Sequence, residues 1–190
     1  MRVIAGSAGG IKLDVPKEGV RPTMDRVKAA IFSSLGEMVI GARVLDLFGG
    51  SGALGIEALS RGAASAVFVD SDRRSVETIE RNLTRAGVKV PVYCRDVFEF
   101  LRTSRMENLF EIIFADPPYD RTSGGARYSD LLLESASLPG LVAPNGIFVL
   151  EKRPEEELSI PPSWQLIRAK KYGATEVLFL SVAPDRQTEA

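Results

Sequence analysis

Residues 43–52 read RVLDLFGGSG, and this stretch decides the fold of the chain. Its apolar first half, residues 43–48, has the length of a buried strand and ends in a turn that contains three glycines. A helical segment follows and is stopped by Gly62. Glycines let the backbone turn sharply and let a ligand approach without meeting a Cβ atom. Taken alone, the turn could serve a dinucleotide or simply connect a strand to a helix, but no Lys-Ser/Thr pair follows it, which excludes a Walker A loop.

The alternation of strand and helix continues outward from this stretch. Further strands are predicted at residues 66–69, 90–94, 111–115, 146–151, 164–169 and 176–182, and helices at residues 53–61, 72–86, 97–103 and 128–137. Near-continuous apolar strands separated by helices predict an α/β fold whose parallel sheet is covered on both faces.

The segment before this unit has its own pattern. Residues 2–5 and 12–15 predict two short strands of a hairpin around a glycine turn. A helix is predicted to open at Arg21-Pro22-Thr23, with Thr23 as its N-cap. Its apolar stripe has spacings of three and four residues and consists of Met24, Val27, Ile31, Leu35 and Met38. We expect a single domain over residues 1–184, with residues 1–22 as a hairpin extension and residues 185–190 as a flexible tail.

The composition excludes several classes of site. The chain has 190 residues, one cysteine, no histidine and a formal net charge of −1. Disulfide frameworks, His/Cys zinc sites and triads with a histidine base are therefore excluded, and no metal is expected. Cys94 lies in an apolar stretch, so we expect a buried structural thiol. No apolar run approaches the ~20 residues of a membrane span, and the N-terminus has no signal-peptide core, so a cytoplasmic protein is expected.

Four acids lie in or at the ends of successive predicted strands: Asp46, Asp70, Asp96 and Asp116. Parallel strands bind ligands beyond their carboxyl ends, so these acids converge on one rim. Asp46, before the glycines, would repel an anionic pyrophosphate. It suits S-adenosylmethionine, which carries an α-amino cation and a sulfonium. The ligand predicted at this rim is therefore cationic.

The next two acids suit the remaining parts of the same ligand. Asp70 lies 21 residues after Gly49, where a ribose diol needs a carboxylate acceptor. Asp96, with the Val97 amide beside it, is placed to accept from the adenine amine. The alternative for Asp70 and Asp96 is a solvated strand-end acid or a helix cap.

The segment Asp116-Pro117-Pro118-Tyr119 is the most specific signal in the chain. Two prolines stiffen the loop and remove two N–H donors, which leaves the Asp116 carboxylate and the Pro117 carbonyl as acceptors. Such a loop suits a planar –NH2 group, because two acceptors can hold both N–H bonds and direct the nitrogen lone pair at a methyl group. Asp116 also stabilises the positive charge that develops during attack. Tyr119 can stack on a nucleobase that has left its stack.

With these motifs, the chain closely resembles the bacterial 16S rRNA guanine-N2 methyltransferases of the RsmD family. The resemblance spans nearly the whole length and is carried by residues 1–6 (MRVIAG), 21–27 (RPTMDRV), 46–55 (DLFGGSGALG), 57–63 (EALSRGA), 116–119 (DPPY) and 171–173 (KYG). Two departures are small: Gly50 is often Ala in the family, and Asp70 is often Glu.

The resemblance implies a Rossmann-like class I methyltransferase with a mostly parallel seven-stranded sheet and an antiparallel C-terminal strand. It implies transfer from S-adenosylmethionine to the N2 amine of one guanine in 16S rRNA, within a small ribosomal subunit or its assembly intermediate, by a monomer. It also places Arg21, Thr23 and Arg26 over the cofactor pocket, in contact with donor or RNA. The full set of predicted cofactor-binding residues is Asp46, Phe48, Gly49, Gly50, Ser51, Gly52, Asp70, Ser71, Asp96 and Val97, and the predicted catalytic residues are Asp116, Pro117, Pro118 and Tyr119.

Two alternative functions stay open on the sequence. An N6-adenine methyltransferase acting on RNA or DNA would use the same loop chemistry. Only 63 residues separate Gly52 from Asp116 and 71 follow Tyr119, and the predicted elements use them, so no separate DNA-reading region fits. The second alternative is a module that binds S-adenosylmethionine without catalysis, against which the intact residues 116–119 argue.

Overall fold

The computed structural model describes residues 1–16, 22–103, 109–119 and 125–184, and only the backbone of residues 22–24. Within these ranges no helix combines the length and the apolar character that crossing a bilayer requires. Arg21 and the tail at 185–190 lie outside the described residues, so the predictions made for them stay predictions.

The described chain contains five α-helices, seven strands and two short 3-10 helices, at Gly36–Val39 and Pro139–Leu141. The helices are α1 (Pro22–Leu35), α2 (Ala53–Ser60), α3 (Arg73–Ala86), α4 (Val97–Thr103) and α5 (Tyr128–Leu133). The strands are β1 (Arg43–Leu47), β2 (Ser65–Asp70), β3 (Val92–Cys94), β4 (Phe110–Ala115), β5 (Val142–Lys152), β6 (Trp164–Tyr172) and β7 (Thr175–Val182). Each strand and helix predicted after residue 43 is present, with ends that shift by a few residues. The largest shifts are at the start of β5, which begins four residues before the predicted position, and at the end of α5, which stops four residues before the predicted position.

All seven strands form one sheet in the order β3-β2-β1-β4-β5-β7-β6. The first five are parallel, and β7 is antiparallel to both β5 and β6. The order reverses at β1, which has β2 on one side and β4 on the other, and ligands of such sheets bind at this switch point. The prediction of a mostly parallel α/β sheet with an antiparallel C-terminal strand is confirmed.

The two faces of the sheet bury separate apolar clusters. One cluster packs the N-terminal hairpin, α1, α2 and α3 against side chains such as Val44, Phe68 and Phe114. The other packs α4 and α5 against side chains such as Leu45 and Ile113. Alternate residues of β1 and β4 thus belong to opposite clusters, which is the period-two alternation of a strand buried on both faces. A side chain's position along a strand therefore decides which helices it meets.

The N-terminal hairpin is bound to α2 more than to itself. Its two halves share one isolated bridge, Arg2 to Lys12, so the predicted short strands are wrong in extent. The backbone N–H groups of Ile4 and Ala5 donate instead to the Glu57 carboxylate at 2.7 and 3.1 Å. Because these donors are used by a side chain of α2, the strand ladder cannot extend past its first rungs.

Three smaller predictions are corrected by the structure. Helix α1 begins at Pro22, a favourable first helical residue, so Thr23 lies inside the first turn and is not the N-cap. The stripe of α1 ends with the helix at Leu35, and Met38, in the following 3-10 turn, is 42% exposed while Val39 is buried. Cys94 is exposed, because β3 is the short strand at one edge of the sheet.

Candidate active site

The glycine turn between β1 and α2 takes backbone conformations that leave space at its tip. Phe48, Gly50 and Gly52 have φ angles of 56°, 57° and 75°, and Phe48 is one of two non-glycine residues of the described chain in this region. A Cβ atom on Gly50 would meet only the Phe48 carbonyl oxygen, at 3.8 Å, whereas one on Gly49 would lie 2.9 Å from Ile79. Gly49 is therefore packed against α3, while Gly50 presents bare backbone where a ligand can approach.

Asp46 lies beneath this turn and is almost completely buried, at 3% exposure. Its Oδ2 accepts the Gly55 N–H at 2.9 Å, which ties β1 to the first turn of α2. Burial is the main reason why the pKa of Asp46 is raised to about 8; the Gly55 N–H opposes the shift, and the charges of Asp116 and Asp70 add to it. A buried carboxylate whose nearest charges are other carboxylates favours a cation beside it.

Asp70, the last residue of β2, holds the glycine turn in place. Its Oδ2 accepts the Gly50 N–H and its Oδ1 accepts the Asp72 N–H, both at 2.8 Å. An ionised carboxylate has about four acceptor positions, so two remain for the hydroxyls of a ribose. Both the structural role and the ligand role considered for Asp70 fit this geometry.

The other predicted ligand contacts divide into exposed and inward-facing groups. Asp96 is exposed and caps α4 by accepting the Glu99 N–H at 2.9 Å, so the alternative role as a helix cap is realised in the structure. Ser71 is exposed, and the Val97 side chain is buried under the sheet. The Ser51 hydroxyl turns away from the tip of the turn and contacts the Met1 sulfur at 3.8 Å.

The segment at residues 116–119 follows β4 at the same edge of the sheet. Asp116 is half-buried, and burial raises its pKa to about 6. No peptide bond in the described chain is cis, and Pro117 is buried while Pro118 is exposed. Because β1 and β4 are adjacent, the register pair Leu47–Ala115 brings Asp116 to the glycine turn. The charge of Asp116 contributes to the raised pKa of Asp46, so the two residues lie near each other.

The Tyr119 ring is held by two residues that the sequence analysis missed. The Arg153 guanidinium carbon lies 4.8 Å from the ring centroid, and the Tyr119 hydroxyl shares a hydrogen bond of 3.3 Å with the Thr175 hydroxyl. The ring is still 37% exposed. Nothing in the sequence pattern links these residues, which belong to different parts of the β5–β7 region.

Three aromatic rings form a second missed group beside the glycine turn. Phe48 makes edge contacts with Phe98 and Tyr128, at 6.3 and 5.7 Å between centroids, and the Phe98 and Tyr128 rings stack at 6.2 Å. This aromatic cluster joins the turn after β1 to α4 and α5. All three rings are partly exposed, so they present apolar surface where a purine ring could lie.

Glu151 is the missed acid of the site. It lies near the end of β5, and burial raises its pKa well above the usual value, with the charges of Asp116 and Asp46 adding to the effect. The signal was present, because the predicted fifth strand ends at this residue.

The predicted RNA contacts are less fully defined. Arg21 and the side chain of Thr23 lie outside the described residues. Arg26 is exposed and borders a surface groove with Arg2 and Asp25. Within the described residues no group of three or more acids or cysteines is arranged to hold a metal ion.

Comparison with known proteins agrees with this geometry. The family model "Conserved hypothetical protein 95" matches residues 1–181. Ribosomal RNA small subunit methyltransferase D of Escherichia coli K12 is 36% identical over 180 residues, covering 91% of this chain and 85% of the relative. The chain belongs to the RsmD family. Its relative from Haemophilus influenzae, with the same name, is 33% identical over 91% of this chain and 89% of the relative.

Solved structures extend the RsmD-family assignment to the fold. A hypothetical protein from Thermus thermophilus superposes with a TM-score of 0.74 at 29% identity, covering 96% of this chain and 99% of the other. A 16S rRNA N2 methyltransferase of T. thermophilus, RsmC, in complex with AdoMet and guanosine, superposes with a TM-score of 0.67 at 26% identity. The superposition covers 88% of this chain and 44% of the RsmC chain. Class I methyltransferases thus share the sheet described above.

The residues of this RsmD-family site fit S-adenosylmethionine. Asp46 and its neighbouring carboxylates have no cation of their own within the described residues, and the bare backbone at Gly50 leaves room beside them. Asp46 would face the α-amino and sulfonium cations, Asp70 the ribose hydroxyls, and the aromatic cluster the purine. The bound group would supply an electrophilic methyl carbon at the edge where Asp116 lies.

Proposed function

We propose that this chain transfers a methyl group from S-adenosylmethionine to the exocyclic N2 amine of a guanine in small-subunit rRNA. The observation that carries the proposal is the juxtaposition of Asp116 with the turn at Gly49–Gly52, through the register of β1 and β4. The names of the E. coli and H. influenzae relatives support a small-subunit rRNA substrate, and the guanosine complex of RsmC supports the base. We further propose that the protein acts in the cytoplasm, as a monomer, on a small subunit or its assembly intermediate.

The chain's own part in the reaction is to orient the amine. The Asp116 carboxylate and the Pro117 carbonyl accept its two N–H bonds and leave the nitrogen lone pair directed at the methyl carbon. The nitrogen becomes positively charged as the N–C bond forms and the S–C bond to the leaving thioether breaks, and Asp116 stabilises that charge without reorganisation. The surplus proton is acidic, and the Asp116 carboxylate that already accepts the N–H can take it.

Tyr119 positions the base that carries this amine. Arg153 and Thr175 fix the ring, so it offers a preformed stacking surface at little cost in side-chain entropy. Stacking on an aromatic side chain contributes roughly 1–3 kcal/mol per base. The base must be unpaired or leave its stack to reach the loop.

The test is labelled methyl transfer to small subunits, with the Asp116→Ala variant beside the wild type. We expect transfer to small-subunit RNA by the wild type, a loss of about a hundredfold or more in Asp116→Ala, and donor binding that persists in calorimetry. Primer extension on the product then locates the methylated guanine. Turnover of the variant near the wild-type rate would remove Asp116 from the mechanism, and transfer to DNA or to adenine would refute the proposed substrate.

A further inference from the structure

Glu151 lies beside Asp116 because of the register between β4 and β5. The last register pair of these parallel strands is Ala115–Leu150, and both side chains are buried in the cluster under α4 and α5. Side chains alternate between faces, so the next residues, Asp116 and Glu151, project to the opposite face. Adjacent strands are about 4.8 Å apart, which makes the two carboxyl groups immediate neighbours. Asp46 lies on that same face of the sheet, in β1, where it pairs with Phe114, two residues before Asp116.

Glu151 also lies beside the proposed catalytic loop. It lines a narrow cleft together with Pro117, Pro118 and Tyr119, three residues of the proposed catalytic loop. The cleft is too narrow to admit a base, so a base whose amine is held by Asp116 would lie across its opening, next to the neighbouring Glu151. Glu151 is therefore placed to contact the base directly.

No cation neutralises this carboxyl group within the part of the chain that the structure describes. The adjacent Lys152 is buried, but its Nζ pairs with Glu176 at 2.6 Å and donates to the carbonyls of Arg153 and Glu156. Within the described residues, no ion pair includes Asp46, Asp116 or Glu151. Burial and the charges of Asp116 and Asp46 hold the pKa of Glu151 well above its usual value, which favours the neutral acid. A neutral carboxyl group has one O–H donor and one carbonyl acceptor side by side.

That pair of groups complements the edge of guanine next to its N2 amine. The guanine ring presents an N1–H donor and the O6 acceptor there, in the same order as the acceptor and donor of a neutral carboxyl group. We propose that Glu151 determines guanine specificity, an inference that rests on the proposed function. The Glu151 carbonyl oxygen accepts N1–H and its O–H donates to O6, while Asp116 holds the N2 amine. In a purine that keeps the 2-amine but lacks these two groups, the O–H of Glu151 can still turn to the unprotonated N1, but its carbonyl oxygen then faces C6–H and has no donor.

The experiment compares two bases in small subunits reconstituted with guanine or 2-aminopurine at the methylated position. 2-Aminopurine keeps the exocyclic 2-amine and lacks both N1–H and O6. We expect the wild type to prefer guanine by about a hundredfold, because a site built for hydrogen bonds rejects an analogue without them. Glu151→Met removes the carboxyl group at similar size, and we expect it to lower the rate on guanine about a hundredfold and to reduce the preference to under about fivefold.

Two further variants complete the design. Glu151→Gln keeps a carbonyl acceptor and an N–H donor, and we expect both its rate on guanine and its preference to stay within about tenfold of the wild type. The exposed Glu155→Met is the matched control and should leave both unchanged. Donor affinity by calorimetry should be the same in all variants, which verifies the fold and the cofactor site.

Several outcomes would overturn the role of Glu151. One is equal methylation of 2-aminopurine and guanine by the wild type. This result would stand even if every variant failed to fold. Another is a Glu151→Met variant that keeps the wild-type preference, because a merely structural role lowers both rates equally. Failure of the proposed function gives a different result, since the wild type would then methylate no guanine N2 in these subunits.

Discussion

Among single residues, Asp46 connects the stability of the protein to its chemistry. Its carboxyl group is buried, accepts one backbone N–H, and faces Asp116 and Asp70 instead of a cation. Such groups cluster at functional sites because the charge they lack is brought by the ligand. In the ligand-free protein the charged form of Asp46 is therefore unfavourable, and the folded chain holds a proton on this group that the unfolded chain loses.

The stability of the ligand-free protein should depend on pH through Asp46. The pKa of Asp46 is raised from an ordinary 3.8 to about 8, so between these values the folded chain holds a proton that the unfolded chain has lost. Stability from this group is thus present below pH 3.8 and is lost as the pH rises towards 8, at about 1.4 kcal/mol per unit of pKa difference. We expect Asp46→Asn, which keeps the acceptor for Gly55, to show a flatter profile in urea unfolding from about pH 5 to about pH 8. Parallel profiles for the two proteins would contradict the assignment.

Among the elements, α2 organises the site from both of its ends. Its first turn packs against the sheet at Gly55, where an added Cβ atom would lie 2.4 Å from the Phe68 ring and 3.1 Å from the Asp46 carboxylate. Farther along, Glu57 pairs with Lys28 at 3.2 Å and with Arg61 at 2.7 Å, and accepts from the hairpin backbone. Burial alone would raise the pKa of Glu57, but these partners hold it below its usual range.

Gly55→Ala tests the close packing of α2 on β2. Alanine is a better helix former than glycine by up to about 1 kcal/mol, so an exposed site would gain stability. Here the methyl group has no space, and we expect a loss of about 1–3 kcal/mol in the free energy of unfolding. Gly140→Ala is the control, because a Cβ atom there meets nothing within 4 Å and should change stability little. Equal effects of the two substitutions would refute the packing argument.

Glu57→Gln tests the attachment of the hairpin to α2. The substitution leaves the buried Lys28 without its countercharge, and breaking a buried ion pair costs about 3–5 kcal/mol. We expect this loss in thermal or urea unfolding, together with faster proteolysis within residues 1–16. Glu77→Gln, which removes an exposed pair with Arg73, should leave both measurements unchanged. An unaltered stability of Glu57→Gln would mean that the hairpin is held by its other contacts, such as the hydrogen bonds of Ala5 and Ala8 with the Ser60 hydroxyl.

At the scale of the whole molecule, three strands and their loops assemble a patch of acids that a cation must complete. Asp46 lies in β1, Asp116 directly follows β4, and Glu151 lies in β5. Each of the three strands therefore brings one acid to the patch. Their shared edge brings together carboxyl groups whose pKa values are all raised by burial. In the proposed reaction Asp46 faces the cations of the donor, Asp116 stabilises the methylated nitrogen, and Glu151 contacts the base.

Donor binding should release protons for this reason. A cation beside Asp46 and Asp116 favours their charged forms and lowers pKa values that are about 8 and about 6 in the ligand-free protein. Titration calorimetry at about pH 7, between these two values, should therefore give different apparent enthalpies of binding in phosphate and in Tris. S-adenosylhomocysteine, which lacks the sulfonium charge, should release fewer protons, and so should Asp46→Asn with the methyl donor. Identical enthalpies in the two buffers would show that these acids are already ionised.

The amino-acid sequence by itself determined the order of strands and helices, the glycine turn, and the rim on which Asp46, Asp70 and Asp116 meet. These features are local, because hydrophobic periodicity and turn residues act within a few positions along the chain. The exposure of Cys94 could not be predicted, because an apolar tripeptide reads the same in an edge strand and in a central one.

Only the tertiary structure decided which acids lack a partner. Glu57 and Glu151 are both buried glutamates, yet the first meets Lys28 and Arg61 while the second faces Asp116 and Asp46. The difference arises from register and packing between segments far apart in sequence, and the electrostatic energy of a buried charge depends on those distances. One glutamate therefore anchors the hairpin, and the other is left uncompensated beside the proposed catalytic loop.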